Sequence, residues 1–164
     1  VIVLAGAEVA FVTQNFRDLA GRTQLERRGA VFRMYLAVRL VLAVCEAFRK
    51  GECPADFVDS VAARLGVPPC AIRGIAATLV ERGVLRQTGP SGEGFLPARE
   101  TALLTVGDVT RALVCDPLVV PEGPVDMEYP RLKALFCAAD AAQRAELDAC
   151  TFAELLDLTG GDMS

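Results

Sequence analysis

Apolar residues recur at helical spacing in two neighbouring stretches near the middle of the chain. Phe57, Val61 and Leu65 lie at positions i, i+4 and i+8, so they share one face of a helix. A second stretch, residues 72–80, repeats an apolar stripe at i, i+3, i+4, i+7 and i+8. Between them the sequence Gly-Val-Pro-Pro at 66–69 ends the first helix and forces an extended connection. The pattern predicts two short helices joined by a tight turn.

Two short strand patterns follow the second of these helices. Gly83 is expected to end the helix in a left-handed conformation, after which 84–88 and 94–97 are typical of strands. The sequence Gly-Pro-Ser-Gly-Glu between them has the composition of a turn. Because Pro97 cannot donate a backbone hydrogen bond to a neighbouring strand, it belongs on an edge strand. Two helices followed by a hairpin predict a winged helix-turn-helix.

The flanking sequence predicts further helices on both sides of this unit. A continuous helical pattern runs over residues 31–48, and Gly51 ends it. On the other side, Thr105-x-x-Asp108 and Thr151-x-x-Glu154 are capping patterns that begin short helices, and residues 128–147 are helical by composition. The predicted fold is therefore mainly α with a small β-hairpin: a winged helix-turn-helix domain with additional N- and C-terminal helices.

A segment rich in proline and glycine suggests how the chain is divided. Residues 116–127 are expected to be a linker. The linker separates a winged-helix domain, residues 23–115, from a C-terminal helical segment, residues 128–164, that could form a dimer. Residues 1–22 are expected to contain the end of a transmembrane helix and a juxtamembrane segment.

The beginning of the chain is apolar and is followed by a basic stretch. The first twelve residues, VIVLAGAEVAFV, carry a single charge, at Glu8. Twelve residues are fewer than the roughly 20 that span a bilayer, so they fit either the end of a membrane helix or an ordinary buried helix. Residues 17–50 contain eight basic and three acidic side chains. The positive-inside rule expects such a run at a cytoplasmic membrane exit, and a solvated basic face would explain it equally.

The overall composition narrows the functional classes. The 164 residues have a mean hydropathy of +0.36 and a net charge of −4, which argues against a general nucleic-acid binder. Residues 100–164 contain twelve acidic and four basic side chains, so an acidic tail helix could pack on the basic first helix, in the same chain or in a partner. There is no histidine, and no pair of the six cysteines has C-x-x-C spacing. The sequence therefore predicts no enzyme, no cofactor and no metal site, and its cysteines are expected to be small buried hydrophobes.

The outward face of the second helix of the helix-turn-helix indicates which class of partner the domain binds. That face is predicted to consist mainly of small residues, namely Cys70, Ala71, Arg73, Gly74, Ala77, Thr78 and Glu81. A helix that recognises base edges uses Arg, Lys, Asn or Gln side chains. Residues 51–99 hold equal numbers of acidic and basic side chains, so this segment has no net charge to attract DNA. A protein surface is therefore preferred to DNA as the partner. The candidate partner- or nucleic-acid-binding residues are Arg73, Ala77, Thr78, Arg82, Arg86 and Arg99.

Residues 63–114 resemble the DNA-binding half of the bacterial winged-helix repressors that sense iron–sulfur clusters. The shared order is a turn, a glycine-rich wing and a Thr-x-x-Asp-Val helix at 105–109, which in that family leads to a long dimerisation helix. The clustered cysteines of that family have no counterpart, because Cys115, Cys137 and Cys150 lie far apart. The resemblance therefore implies a winged-helix fold that holds no iron–sulfur cluster.

Residues 1–17, VIVLAGAEVAFVTQNFR, resemble the end of the last membrane helix of the YihY/BrkB family, polytopic inner-membrane proteins once labelled ribonuclease BN. The matching positions are Gly6-Ala7-Glu8 and Gln14-Asn15. Some members carry a cytoplasmic extension with an arginine-rich helix, a winged helix and a sequence like Phe-Leu-Pro-Ala-Arg at 95–99. The resemblance implies that Glu8, Gln14 and Arg17 lie close to the membrane.

These observations favour a non-catalytic winged-helix domain on the cytoplasmic side of a bacterial inner membrane. It would act in docking or regulation, with the membrane part of its own chain or a second copy as partner, and would contact the membrane through its N-terminal helix. The alternative is a soluble winged-helix regulator of transcription that binds DNA. A ribonuclease is the less favoured third possibility, because no residue pattern supports it.

Overall fold

The computed structural model describes residues 29–52, 56–89, 94–114 and 129–160. Within these ranges the elements are α1 (Gly29–Lys50), α2 (Phe57–Leu65), α3 (Pro69–Glu81), β1 (Leu85–Thr88), β2 (Gly94–Pro97), α4 (Val106–Leu113), α5 (Tyr129–Asp148) and α6 (Phe152–Gly160). The mainly helical winged helix-turn-helix is confirmed. None of the described helices combines the length and hydropathy needed to span a membrane. The predicted membrane helix end and the whole of the predicted linker lie outside the described residues, and the domain boundaries stay a prediction.

Helix α1 is the centre of the hydrophobic core. Its buried stripe repeats every three to four residues and packs against α3, α4, α6 and the hairpin. The buried residues of the stripe are Leu36, Ala37, Leu40, Val41, Val44 and Cys45. Burial raises the pKa of the Cys45 thiol to about 12, so this cysteine is neutral in the core. Cys45 is thus the small buried hydrophobe that the sequence predicted, whereas the prediction is wrong for Cys137, which is exposed, and Cys70 and Cys150 are half-buried.

The helix-turn-helix forms where the glycine and proline signals place it. Gly66 ends α2 with a left-handed φ of 63°, and the backbone N–H of Val67 donates to the carbonyl of Ala62 at 3.1 Å. Pro68 is extended, and Pro69 occupies the first turn of α3, where a helix needs no proline N–H. The two helices pack against each other, and Val61 of α2 is buried.

The wing begins at a second glycine cap. Gly83 has a φ of 71°, and the N–H of Val84 donates to the carbonyl of Leu79 at 2.9 Å. Strands β1 and β2 then pair antiparallel, with Leu85 opposite Pro97 and Thr88 opposite Gly94. Leu85 is buried, which fixes the base of the wing to the core.

The chain returns to the core after α5. Phe152 has no exposed surface, and its N–H donates to the carbonyl of Leu104 at 2.9 Å. Thr105 and Thr151 form an isolated bridge between the two segments. Helix α6 packs on α1, where Arg49 pairs with Asp157 at 3.4 Å. The acidic tail helix therefore packs on the basic first helix within the same chain.

Helix α5 contrasts with every other helix, because none of its described side chains is buried. Its main packing partner is α4, which it meets near its C-terminal end at Asp148. The apolar residues Leu132, Leu135 and Phe136 remain exposed, and Leu135 retains 65% of its surface. The helix predicted by composition is present, and its apolar face is left without cover in the described chain.

Candidate nucleic-acid interface

Helix α3 buries one side and exposes the other beside the wing. Ile72, Ile75 and Leu79 are buried in the core, whereas Arg73 and Ala77 are exposed. The helix is amphipathic, so its exposed strip is available to a partner.

Two residues on this helix differ from the sequence-based interpretation or refine it. Ala71 was predicted to face outward, but it is buried because it lies one turn before Ile75, on the same side of the helix. Thr78 is half-buried, and its hydroxyl donates to the carbonyl of Gly74 at 3.1 Å. The exposed strip of α3 therefore presents fewer side chains to a partner than the sequence suggests.

Arg73 is held by a carboxylate of the preceding helix. Its Nη2 lies 2.8 Å from Oδ1 of Asp59 on α2, and the two side chains are 61% and 55% exposed. An exposed pair of this kind contributes about 0–1 kcal/mol, so a phosphate or a base edge could replace Asp59 at low cost. The pair neutralises Arg73 while no partner is bound.

The structure separates the six candidate residues into three places. Arg82 follows α3 nine residues after Arg73, which corresponds to about 13 Å along the axis and the opposite side of the helix. Arg86 is exposed on β1, and Arg99 is exposed just after β2. Arg73 and Ala77 therefore share one surface, and Arg86 lies on the wing. Thr78 lies on the same side of α3 as Arg82, which belongs with Arg99 to a third place.

Arg82 and Arg99 meet at the base of the wing together with Arg111 of α4. These three arginines line a cavity of about 220 Å³, which we call the wing-base pocket. Its other lining residues are Gly83, Val84, Leu104, Asp108 and Ala112. Sequence reasoning did not identify Arg111, although its place three residues after Asp108 of the capping pattern was a usable signal.

Arg111 is fixed by two carboxylates from different helices. Its Nη1 donates to both carboxylate oxygens of Asp148 on α5, at 2.6 and 2.8 Å. Its Nη2 donates to Oδ1 of Asp108 at 2.8 Å. These hydrogen bonds, first from Asp108 and then from Asp148, raise the pKa of the Arg111 guanidinium. Arg111 thus joins α4 to the last residue of α5.

Asp108 accepts hydrogen bonds both from Arg111 and from Thr105, the N-cap residue of α4. Its Oδ2 accepts from the backbone N–H and the hydroxyl of Thr105, which completes the predicted capping box. Burial disfavours the charged carboxyl, but the hydrogen bonds from Arg111 and Thr105 outweigh it and lower the pKa of Asp108. The carboxylate stays ionised and is satisfied by neighbouring donors.

The three predicted membrane-proximal residues, Glu8, Gln14 and Arg17, lie outside the described residues. Among the described residues, no three His, Cys, Asp or Glu side chains form a group that could hold a metal ion.

Comparisons with known proteins support the fold. No protein-family model matches the sequence, and no curated protein matches it. The structure is similar to T. potens IscR, with a TM-score of 0.62, 20% identity, and coverage of 80% of this chain and 89% of that chain. It is also similar to CymR, the global cysteine regulator of B. subtilis, with a TM-score of 0.59, 17% identity, and coverage of 76% and 93%.

A third similar structure is S. aureus CymR, with a TM-score of 0.58 and 20% identity over 76% of this chain and 95% of that chain. Of these three neighbours, the B. subtilis protein is named as a global regulator. At such low identity the likeness establishes the shared fold.

Proposed function

We propose that this chain binds duplex DNA as a winged-helix regulator, with α3 and the β1–β2 wing as its contact surface. The observation that carries the proposal is the arrangement of α3, whose apolar side is packed in the core and whose opposite side is exposed beside the wing. A helix presented in this way can enter the major groove, while a wing contacts the flanking backbone. The fold shared with regulators supports this choice over a docking module.

Arg73 is the residue assigned to base or phosphate contact. It is the only arginine on the exposed strip of α3, and its present partner is an exposed carboxylate. Arg86 on β1 is assigned to the phosphate backbone. Because few cations face the DNA, the affinity should be modest and its dependence on salt should be shallow.

The experiment is a fluorescence-anisotropy titration with a mixed-sequence duplex at low and at physiological salt. Arg73→Ala is expected to weaken binding about tenfold. Arg144→Ala is the matched control, because Arg144 is also an exposed arginine in an ion pair, 2.7 Å from the half-buried Asp140 on α5. Equal affinities for the wild type and both variants would contradict the assignment of α3.

We further propose that α5 pairs with α5 of a second copy. An isolated helix of 20 residues is marginal in water unless its apolar stripe is covered, and Leu132, Leu135 and Phe136 form such a stripe. An antiparallel pair centred near residue 134 would place these three residues of one copy against the same residues of the other. A twofold-symmetric dimer has this self-complementary geometry.

Sedimentation equilibrium tests the pairing. Leu135→Asp is expected to shift the protein to monomer, because it places a charge in the apolar stripe. Ala141→Asp is the control, since it adds the same charge on the other side of the helix. A dimer that survives Leu135→Asp would exclude this surface.

A second candidate function is a docking module on the cytoplasmic side of a bacterial inner membrane. The observation in its favour is the small exposed face of α3, with Gly74, Ala77 and Thr78, which permits the close approach of another helix. The resemblance of residues 1–17 to a membrane helix end supplies its membrane anchor. No binding of DNA at low salt, together with concentration-dependent dimerisation, would favour this function over the first.

A further inference from the structure

We propose that the wing-base pocket binds a phosphate group, with Arg82 and Arg99 as its ligands and Arg111 as a fixed third wall. The pocket is distinct from the exposed strip of α3, because Arg82 lies on the opposite side of that helix from Arg73. Its phosphate could come from a small molecule or from the backbone of bound DNA.

The shape of the pocket favours a compact ligand. Its volume of about 220 Å³ lies below the roughly 300–1,000 Å³ of pockets for drug-sized molecules. Val84, Leu104 and Ala112 are buried and supply the apolar part of the pocket's lining. Apolar lining lowers the local dielectric and strengthens the attraction between an arginine and an anion.

The charges around the pocket favour an anion. Arg111 is compensated by Asp108 and Asp148, so Arg82 and Arg99 are the cations that would attract an anion to the pocket. Both oxygens of Asp108 already accept hydrogen bonds, from Arg111 and Thr105, so this carboxylate is neutralised by its own neighbours. Arg99 forms no ion pair within the part of the chain that the structure describes, and its guanidinium is open to a ligand.

Arginine suits phosphate because its planar guanidinium can donate two parallel hydrogen bonds to two oxygens. Arg82 is the C-cap residue of α3 and Arg99 lies just after β2, so a bound phosphate would bridge the two elements that define the winged helix. Arg111 is held in place by Asp108 and Asp148. Its side chain is therefore already ordered before a ligand binds, and no further side-chain entropy is lost there.

The first test is a titration of the full chain with inorganic phosphate, followed by ¹H–¹⁵N NMR in a buffer free of other multivalent anions. Saturable shifts are expected at residues 82–84 and 99. Arg99→Gln should weaken binding at least about tenfold, because a charge-assisted hydrogen bond is lost. Arg144→Gln removes the same charge from α5 and should leave phosphate binding unchanged.

A second arm identifies the source of the phosphate by titrating the same variants with duplex DNA. If inorganic phosphate saturates the pocket and Arg99→Gln leaves DNA affinity unchanged, the ligand is a small phosphate compound. If inorganic phosphate does not saturate, but Arg99→Gln weakens DNA binding and lowers the salt slope by about one, the pocket holds a backbone phosphate.

The proposal is overturned if neither ligand depends on Arg99, or if Arg144→Gln has the same effect as Arg99→Gln. The phosphate arm does not require DNA binding, so its outcome is independent of the function proposed for α3.

Discussion

Helices α5 and α6 follow one another directly in the chain, yet they differ in how they use their apolar residues. Helix α6 inserts Phe152 and Leu156 into the core formed around α1, whereas α5 buries none of its described side chains. Both helices carry apolar residues at helical spacing. The difference arises from the backbone before α6, which hydrogen-bonds to the segment before α4 through Phe152 and Leu104. Helical spacing therefore predicts a helix, whereas burial of its apolar face depends on how the neighbouring segments place that helix against the core.

The largest expected effect compares one residue type in the two helices. Phe152→Ala should lower the free energy of unfolding by about 3–5 kcal/mol, because Phe152 is fully buried and its removal leaves a cavity. Phe136→Ala, at a side chain 45% exposed on α5, should cost less than about 1 kcal/mol at concentrations where the chain is monomeric. Urea unfolding followed by circular dichroism measures both values. Equal losses would show that α5 belongs to the core.

The second prediction concerns the place where α5 meets the winged helix. A Cβ added at Gly107 would overlap the carboxylate of Asp148 and crowd its backbone nitrogen. Gly107→Ala should therefore destabilise the fold by about 1–3 kcal/mol and separate Asp148 from Arg111. Gly74→Ala is the control, because a Cβ there meets open space, and it should gain up to about 1 kcal/mol of helix propensity. A neutral Gly107→Ala variant would show that α5 does not pack there.

Local signals predicted most of the fold. Gly66 and Gly83 were expected to end helices, and both have a positive φ. The capping pattern at Thr105 gives the predicted helix start, and Thr151 and Glu154 hydrogen-bond reciprocally in the same way. These features depend on residues within four positions of each other, so the sequence alone contains them.

The candidate site was harder to predict, because it depends on residues far apart in the chain. Arg111 and Asp148 are 37 residues apart, and only the packing of α5 on α4 brings them together. The pairing of Arg73 with Asp59 likewise requires the angle between α2 and α3. The sequence identified Arg82 and Arg99 as separate cations, but it could not show that they share a pocket with Arg111.

The third prediction tests the ionised carboxylate that links these parts. The pKa of Asp108 is lowered in the folded chain, so its contribution to stability is present above its ordinary value of 3.8 and is lost as the pH falls through the folded value. Asp108→Asn should cost about 1 kcal/mol at pH 7 and reduce the loss of stability between pH 5 and pH 3. Urea unfolding across this range measures it, with Glu81→Gln as an exposed control. A pH dependence unchanged by Asp108→Asn would contradict the assigned hydrogen bonds.

The smallest expected effect concerns the ion pair between Arg73 on α3 and Asp59 on α2. Asp59→Asn removes the ionic partner of Arg73 and should tighten DNA binding up to about fivefold, because an exposed pair contributes about 0–1 kcal/mol. Asp140→Asn frees Arg144 from a similar pair on α5, and it should leave DNA affinity unchanged. Anisotropy titrations compare the two variants. Equal gains would indicate a general charge effect instead of a role for Arg73.

The most direct test of the DNA-binding surface is an NMR titration of the ¹⁵N-labelled chain with a mixed-sequence duplex at low salt. The structure predicts that shifts concentrate in α3 and in the β1–β2 wing, while the amides of α6 and of the exposed face of α5 stay in place. Arg73→Ala should reduce the shifts in α3. An absence of shifts at low salt, or shifts confined to α5 and α6, would contradict the assignment of α3 and the wing as the DNA-binding surface.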